Sequence, residues 1–280
     1  MTGADAKAGH DRSFVGRPKG RSEEHLLSLS PAADARAARL ALEGLLETDT
    51  PDIAATLPAG FGDAVERFVE LVLDANTRLN LTRVTEPEAV ARLHLLDALS
   101  ALPLLDRLAP STALDLGSGG GVPGLVLAMA RPDVRWTLVD SVGKKCDAMR
   151  AFDDALGLGS VTVIAGRAEI LGRDTRHRER YAVVTARACA ALPVLAEYAL
   201  PLAAVGGALL AWKGALKAKD DEVVRGSAAA ALLGGGAVTI HGTGVPALGP
   251  HRFLLIPKQR ATPARYPRRP GEPGRNPLPR

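Results

Sequence analysis

The sequence of 280 residues lacks most features of secreted, membrane and metal-binding proteins. Its two cysteines, Cys146 and Cys189, are too few for a disulfide framework and are not spaced as metal ligands. The longest apolar stretch, around residues 198–212, is about fifteen residues, short of the roughly 20 that a membrane span needs. The first twelve residues are polar and charged, without the apolar core of a signal peptide. We therefore expect a cytoplasmic protein with no membrane segment and no bound metal.

Aromatic residues are also scarce, at 4% of the chain, which argues against a module that stacks RNA bases on aromatic side chains. Basic residues are unevenly distributed. Residues 258–280 contain seven of the 35 Lys and Arg but one of the 31 acids, so the rest of the chain has 28 basic and 30 acidic residues. The same segment holds six prolines. This composition predicts a disordered basic tail, either an arm for RNA phosphates or a solubilising extension.

The chain divides into four parts by pattern. Residues 1–33 have little periodicity and are predicted to be disordered, and residues 34–108 form a helical segment with helices near 35–46, 62–79 and 86–102. Residues 109–257 alternate between strand and helix patterns, and the disordered tail follows at 258–280. The predicted strands are 113–116, 135–140, 161–165, 181–185, 208–212, 237–241 and 252–256. Such alternation predicts a mostly parallel, Rossmann-like α/β sheet covered by helices, with the last two strands closing it as a pair.

A glycine-rich loop at residues 117–124 follows the first predicted strand and precedes a helix. Glycines there let the backbone pass close to a ligand, and Asp140, at the end of the second strand, can accept hydrogen bonds from the hydroxyls of a ribose. The loop and the acid indicate a cofactor that contains adenosine. The loop also fits the six-residue dinucleotide pattern, but Asp115 just before it would repel a pyrophosphate and suits the ammonium of S-adenosylmethionine. A methyltransferase is therefore favoured over a dehydrogenase.

Seven motifs then occur in the order and spacing of one family. They are Asn80-Leu81-Thr82, His94-Leu95-Leu96-Asp97, Val122-Pro123-Gly124, Val139-Asp140-Ser141-Val142-Gly143-Lys144-Lys145, Arg167-Ala168-Glu169, Thr185-Ala186-Arg187-Ala188 and Trp212-Lys213-Gly214. The chain resembles the RsmG (GidB) family over about residues 61–256. These are bacterial class I methyltransferases that use S-adenosylmethionine to modify N7 of a guanosine in the 530 loop of 16S rRNA.

The resemblance implies roles for particular residues. Its cofactor-binding positions correspond to Gly117, Val122, Asp140, Ala168, Glu169 and Arg187. In this group Asp140 is the partner of the ribose, Ala168 and Glu169 flank the adenine, and Arg187 lies at the edge of the pocket. One departure is visible: the family often has arginine directly before the histidine of the second helix, where this chain has Leu93.

The expected reaction needs no catalytic acid or base, because guanine N7 carries a free lone pair and no proton. We therefore assign no catalytic residue and no metal. The expected partner is 16S rRNA or the 30S subunit, and we expect the protein to act as a monomer. Deletion of residues 258–280 is expected to weaken RNA binding without changing cofactor affinity. Two rival interpretations remain at this point: a methyltransferase of small molecules or proteins with the same fold, and a non-catalytic rRNA-binding factor.

Overall fold

The computed structural model describes residues 30–279. The disorder predicted for residues 1–33 falls mainly on residues 1–29, which lie outside the described residues. Residues 30–33 instead begin the first helix, so the predicted boundary is wrong there. Ser30 is the N-cap, its hydroxyl accepts from the N–H of Ala33 at 3.4 Å, and Pro31 occupies the first turn, where its missing N–H costs nothing.

The amino-terminal helices fold onto one face of the α/β domain. They are α1 (Pro31–Asp49), α2 (Pro51–Ala54), α3 (Phe61–Leu79), α4 (Pro87–Val90), a π-helical continuation (Ala91–Leu96), α5 (Asp97–Leu99) and α6 (Leu102–Leu108). Apolar residues at helical spacing bury the inner face of α3, and its Phe68 meets Phe152 edge to face, with ring centroids 6.2 Å apart. This packing makes the helical segment part of the same hydrophobic core as the sheet.

The rest of the chain forms the predicted alternation. Its elements are β1 (Thr112–Leu116), α7 (Gly124–Ala130), β2 (Arg135–Asp140), α8 (Gly143–Leu156), β3 (Val161–Ala165), α9 (Ala168–Leu171), β4 (Tyr181–Arg187), α10 (Leu192–Ala199), β5 (Ala203–Lys213), α11 (Asp221–Leu232), β6 (Thr239–Gly242), β7 (Arg252–Pro257) and α12 (Glu272–Arg275). The seven strands are ordered β3-β2-β1-β4-β5-β7-β6. The first five run parallel, and β7 is antiparallel to both β5 and β6.

Both faces of the sheet are buried, as the strand sequences require. Along β1, Ala113 belongs to the core under α3, α7 and α8, while Leu114 belongs to the core under α10 and α11. Successive side chains of a strand point to opposite faces, so an apolar run can fill two cores at once. Within residues 30–279 no helix combines the length and the apolar character needed to cross a membrane.

The predicted disordered tail is wrong: residues 258–279 run over the domain as an ordered segment, the C-terminal strap. Prolines keep it from forming regular hydrogen bonds, and arginines of the domain satisfy its carbonyls instead. Arg178 donates to the carbonyls of Thr262 and Tyr266 at 2.6 and 2.8 Å, and Arg173 donates to that of Pro267 at 2.7 Å. Composition predicted disorder because these donors lie 84 to 94 residues away in the sequence.

The strap begins with a buried lysine. The ammonium of Lys258 is buried, donates to the carbonyls of Leu200 and Leu233 at 2.6 and 3.2 Å, and also contacts Thr262. Burial lowers the pKa of Lys258 to about 8. This lysine, counted with the basic tail in the sequence, is therefore unavailable to an RNA phosphate.

Candidate active site

The loop between β1 and α7 depends on two glycines for its path. Gly117 has φ +75°, and a Cβ at this position would lie 3.3 Å from Sγ of Cys189. At Gly124 a Cβ would lie 2.9 Å from Oδ2 of Asp115 and 3.0 Å from Cγ of Leu138. A side chain at either place would push the loop away from the strand ends, so glycine is what brings the backbone there.

Asp140, at the carboxyl end of β2, holds this loop in place. Its Oδ2 accepts from the N–H of Gly119 at 3.0 Å, and its Oδ1 accepts from the N–H of Val142 at 2.8 Å. Each oxygen of an ionised carboxylate has a further lone pair, so both can still accept from a ligand. Asp140 therefore combines a structural bond to the loop with free acceptor capacity.

The first cavity, of about 210 Å³, opens at the carboxyl ends of β1, β2 and β3. It is lined by Leu116, Gly117, Val139, Asp140, Ser141, Gly166, Arg167, Ala168, Glu169, Cys189 and Tyr198. Four of the six predicted cofactor-binding residues, Gly117, Asp140, Ala168 and Glu169, thus line one space. Parallel neighbours present their carboxyl ends at the same edge of a sheet, which explains how loops far apart in sequence converge there.

Asp115, expected beside the cofactor, lies inside the protein. It is fully buried, with Oδ1 accepting from the hydroxyl of Thr185 at 2.8 Å and Oδ2 from the N–H of Gly124 at 3.2 Å. Burial raises the pKa of Asp115 to about 6. It lines neither of the two cavities described in this section, and its bonds tie the start of α7 to β4.

The second cavity, of about 490 Å³, adjoins the first at the exposed Cys189, which lines both. It is lined by Val84, Leu93, His94, Asp97, Ala186, Arg187, Ala188, Cys189, Ala190, Leu195, Trp212, Lys213, Gly214 and His251. Its size lies within the range of small-molecule sites, roughly 300 to 1,000 Å³. Cys189 therefore stands at the junction of the two spaces.

Arg187, at the end of β4, lines the second cavity and is anchored to the helix opposite. It donates to the carbonyl of Leu93 at 2.7 Å, to Oδ2 of Asp97 at 3.1 Å and to Nδ1 of His94 at 3.3 Å. Asp97 is 2% exposed, and its Oδ1 lies 2.8 Å from Nδ1 of His251. The aspartate thus bridges two cationic or donor groups in the cavity wall.

His94 is a neutral ring in this network. Its Nδ1 lies 3.3 Å from Nη2 of Arg187 and 3.2 Å from the carbonyl oxygen of Leu93, and its Nε2 lies 2.7 Å from the hydroxyl of Thr82. Burial and the charge of Arg187 lower the pKa of His94 to about 4.

The neutral His94 predicts a pH-dependent contribution to stability. A histidine with a folded pKa near 4 and an unfolded pKa near 6.5 binds more protons unfolded, so its contribution falls as pH falls through this interval. Between pH 7.5 and pH 5 the wild type should lose about 2 kcal/mol of unfolding free energy relative to His94→Gln. The comparison uses urea unfolding of both proteins at each pH. Asp115 contributes in the opposite direction, but it is present in both proteins, so its contribution cancels in the difference between them. A difference in unfolding free energy that does not change with pH would contradict the assignment.

The remaining sequence-based site residues lie in different places. Val122 lines a narrow apolar crevice together with side chains of α3, such as Phe68 and Val72. It lines neither of the two larger cavities, so its cofactor role stays a prediction. Asn80 is exposed at the end of α3. Lys213 lines the second cavity, and its ammonium donates to Oε1 of Glu222 at 2.6 Å.

Three wall residues with polar or thiol side chains were missed from the sequence. Tyr198 and His251 belong to no motif, and their types and positions gave no signal. Cys189 directly follows the Thr185–Ala188 motif, a closeness that could have pointed to it.

The strand order β3-β2-β1-β4-β5-β7-β6 with a reversed β7, the glycine loop after β1 and the acid at the end of β2 define a class of protein. They are the features of a Rossmann-like class I methyltransferase.

Comparison with known proteins then identifies the family. Residues 62–246 match the family described as rRNA small subunit methyltransferase G (GidB). A "Ribosomal RNA small subunit methyltransferase G" of Roseiflexus sp. (strain RS-1) is 47% identical over 204 residues, covering 72% of this chain and 86% of the relative. The protein of the same name from Symbiobacterium thermophilum is 40% identical over 244 residues, covering 85% and 98%. The chain belongs to the rRNA small subunit methyltransferase G family.

Proposed function

We propose that the chain transfers a methyl group from S-adenosylmethionine to N7 of a guanosine in the 530 loop of 16S rRNA. The observation that carries this proposal is the pair of adjoining cavities at the carboxyl edge of the sheet, in a chain whose family is that of rRNA small subunit methyltransferase G. One cavity has the groups for an adenosine-containing cofactor, and the other has room for a base.

The first cavity fits the cofactor on two observations. Gly117 leaves open a space that a side chain would fill, 3.3 Å from Cys189, and Asp140 has acceptor capacity for ribose hydroxyls. Ala168 and Glu169 form the adjoining wall. These four residues would hold the cofactor. When bound, S-adenosylmethionine supplies an electrophilic methyl group on a sulfonium.

The residues of the second cavity would position the guanine. Guanine N7 attacks through its own lone pair, so no residue has to remove a proton, and holding the two reactants in line supplies most of the catalysis. Arg187 is a donor of the type that recognises guanine O6, a contact that leaves the lone pair of N7 free, and Asp97 fixes its orientation. The buried Trp212 contributes apolar wall and is itself held by a bond from its Nε1 to the carbonyl of Asp97 at 2.9 Å.

We further infer that the protein works in the cytoplasm as a monomer and without a metal ion. The location follows from the ribosomal substrate, and the independence from metal follows from the nucleophilicity of N7. Among residues 30–279 no group of three or more His, Cys, Asp or Glu side chains is arranged to hold a metal.

Transfer of radiolabelled methyl to small ribosomal subunits tests the function. Subunits that lack their own modification should take up label at one guanosine of the 530 loop, mapped by the chain cleavage that N7-methylation permits. Already modified subunits are the control and should remain unlabelled. Label in a pool of metabolites or proteins instead would support the rival methyltransferase function, and subunit binding without label would support a non-catalytic factor.

A further inference from the structure

The C-terminal strap reaches the wall of the first cavity. The N–H of Gly271 donates to Oε1 of Glu169 at 2.8 Å, and Glu169, which lines the cavity, is only 3% exposed. Nearby, a Cβ on Gly274 would lie 3.7 Å from the hydroxyl of Tyr198, another residue of the wall. Two side chains of the cavity therefore rest against backbone that the sequence indicated would be disordered.

A buried ion pair fixes this part of the strap. Arg268 makes a two-pronged contact with Glu197 of α10: Nε lies 2.9 Å from Oε1, and Nη2 lies 2.5 Å from Oε2. The backbone N–H of Arg268 also donates to Oε1, at 2.8 Å. Glu197 is completely buried, so its negative charge is compensated by Arg268 rather than by solvent. Gly271 follows three residues later in the chain.

The basic side chains of the strap fall into two sets, one buried and one exposed. Lys258 and Arg268 are turned into the protein, with side chains 0% and 12% exposed. The arginines that face the solvent are Arg260, Arg265, Arg269 and Arg275. Contact with RNA phosphates is therefore open to the second set, while Arg268 acts on the protein itself.

We propose that Arg268 is a positioning residue for the cofactor. By pairing with Glu197 it holds the turn at Gly271, whose N–H fixes the carboxylate of Glu169 on the wall of the first cavity. Oε1 of Glu169 accepts this one bond, and Nε of Arg167 lies 3.7 Å from Oε2, so both oxygens keep a lone pair for a ligand. The proposal rests on the proposed function in taking the ligand to be S-adenosylmethionine. It replaces the expectation that loss of the tail leaves cofactor affinity unchanged.

Arg268→Gln and Arg269→Gln form a matched pair of variants for the test. Each removes one positive charge from adjacent positions of the strap, but only Arg268 contacts Glu197. Isothermal titration calorimetry of the full chain should show that Arg268→Gln raises the Kd of S-adenosylmethionine about three- to tenfold, the range for one net hydrogen bond. The Kd of S-adenosylhomocysteine should rise by the same factor, because the two ligands have the same adenosine group and differ only at the sulfur, which loses its methyl group and its positive charge. Arg269→Gln should leave both values unchanged.

Hydrogen exchange and a milder variant separate positioning from general stability. In Arg268→Gln the amides of residues 166–171 should exchange faster, and Arg268→Lys should restore part of the affinity. Gly271→Ala strains the same turn, since Gly271 has φ +80°, and leaves room for the added methyl, so it tests the proposal even if Arg268→Gln fails to fold. It should raise the Kd about threefold.

A lowered melting temperature in Arg268→Gln with an unchanged Kd would overturn the positioning role, as would an unchanged Kd in Gly271→Ala. Failure of the unaltered protein to bind S-adenosylmethionine would overturn the proposed function along with it. Binding of S-adenosylmethionine by the unaltered protein therefore distinguishes the two failures.

Discussion

Asp140→Ala should raise the Kd of S-adenosylmethionine by about 100-fold or more and abolish methyl transfer at ordinary cofactor concentrations. The variant loses two bonds from backbone N–H groups, at 3.0 Å from Gly119 and 2.8 Å from Val142, and also the acceptor for the ribose. Hydrogen bonds to a charged group contribute about 1.5 to 3 kcal/mol each, and 1.4 kcal/mol corresponds to a factor of ten. Loss of the ribose acceptor together with a loosened loop is therefore expected to exceed a factor of 100.

Calorimetry with two further variants makes the Asp140 result interpretable. Asp154→Ala removes an exposed carboxylate of α8 that does not line the first cavity, and its Kd should match the wild type. The Kd of Asp140→Asn should lie between those of the wild type and Asp140→Ala. The amide has one acceptor oxygen in place of two and directs an N–H₂ group at a neighbouring donor. A Kd for Asp140→Ala within about twofold of the wild type would remove Asp140 from the cofactor site.

Four residues that the sequence assigned to the cofactor line the first cavity together, because they are local to strand ends. Gly117 follows β1, Asp140 ends β2, and Ala168 and Glu169 follow β3, and the three strands are neighbours in a parallel sheet. Once the alternation of strands and helices is recognised, convergence of these loops follows from topology alone. The pairing of the last two strands was predicted from two consecutive strand patterns, and β6 and β7 do pair.

The second cavity could not be built from the sequence because it depends on contacts between distant elements. Arg187 was assigned to the cofactor, yet its partners lie 90 to 94 residues earlier, on the helix that carries Leu93 and Asp97. His251 reaches Asp97 across 154 residues. Val122 shows a related difficulty, since a position in a loop does not reveal which way the side chain turns.

Composition was misleading for the C-terminal strap. A proline-rich, basic segment cannot fold alone, and that expectation holds for an isolated chain. Here the domain supplies Arg178 and Glu179 from one loop and Glu197 from α10 as partners for the strap. Prolines also lower the entropy lost when an extended segment is fixed. Order in the strap is thus a property of its docking surface, which composition does not describe.

Asp97→Asn should reduce methyl transfer to the ribosomal subunit strongly while leaving the Kd of S-adenosylmethionine within about twofold of the wild type. Asp97 lines the second cavity and not the first, and its two oxygens contact Arg187 at 3.1 Å and His251 at 2.8 Å. A neutral amide keeps the volume but loses the charge that holds Arg187. A misplaced positioning group can cost about 100-fold in turnover.

Asp97 should also contribute to the unfolding free energy of the protein. Removing one partner of a buried ion pair costs about 3 to 5 kcal/mol, because the other charge is left uncompensated. Asp97→Ala should therefore lose unfolding free energy on that scale in urea titrations. Asp106→Ala, which removes an exposed partner of Arg131, should lose only about 0 to 1 kcal/mol.

Together the Asp97 and Asp140 variants test whether the two cavities have separate roles. If they do, Asp140→Ala changes the Kd of the cofactor, and Asp97→Asn changes the turnover of subunits whose cofactor is already bound. Single-turnover methyl transfer at saturating S-adenosylmethionine measures the second effect without interference from the first. Full turnover by a folded Asp97→Asn protein would show that the anchoring of Arg187 is structural, and the guanine would then have to be positioned by other residues near Cys189, where the two cavities meet.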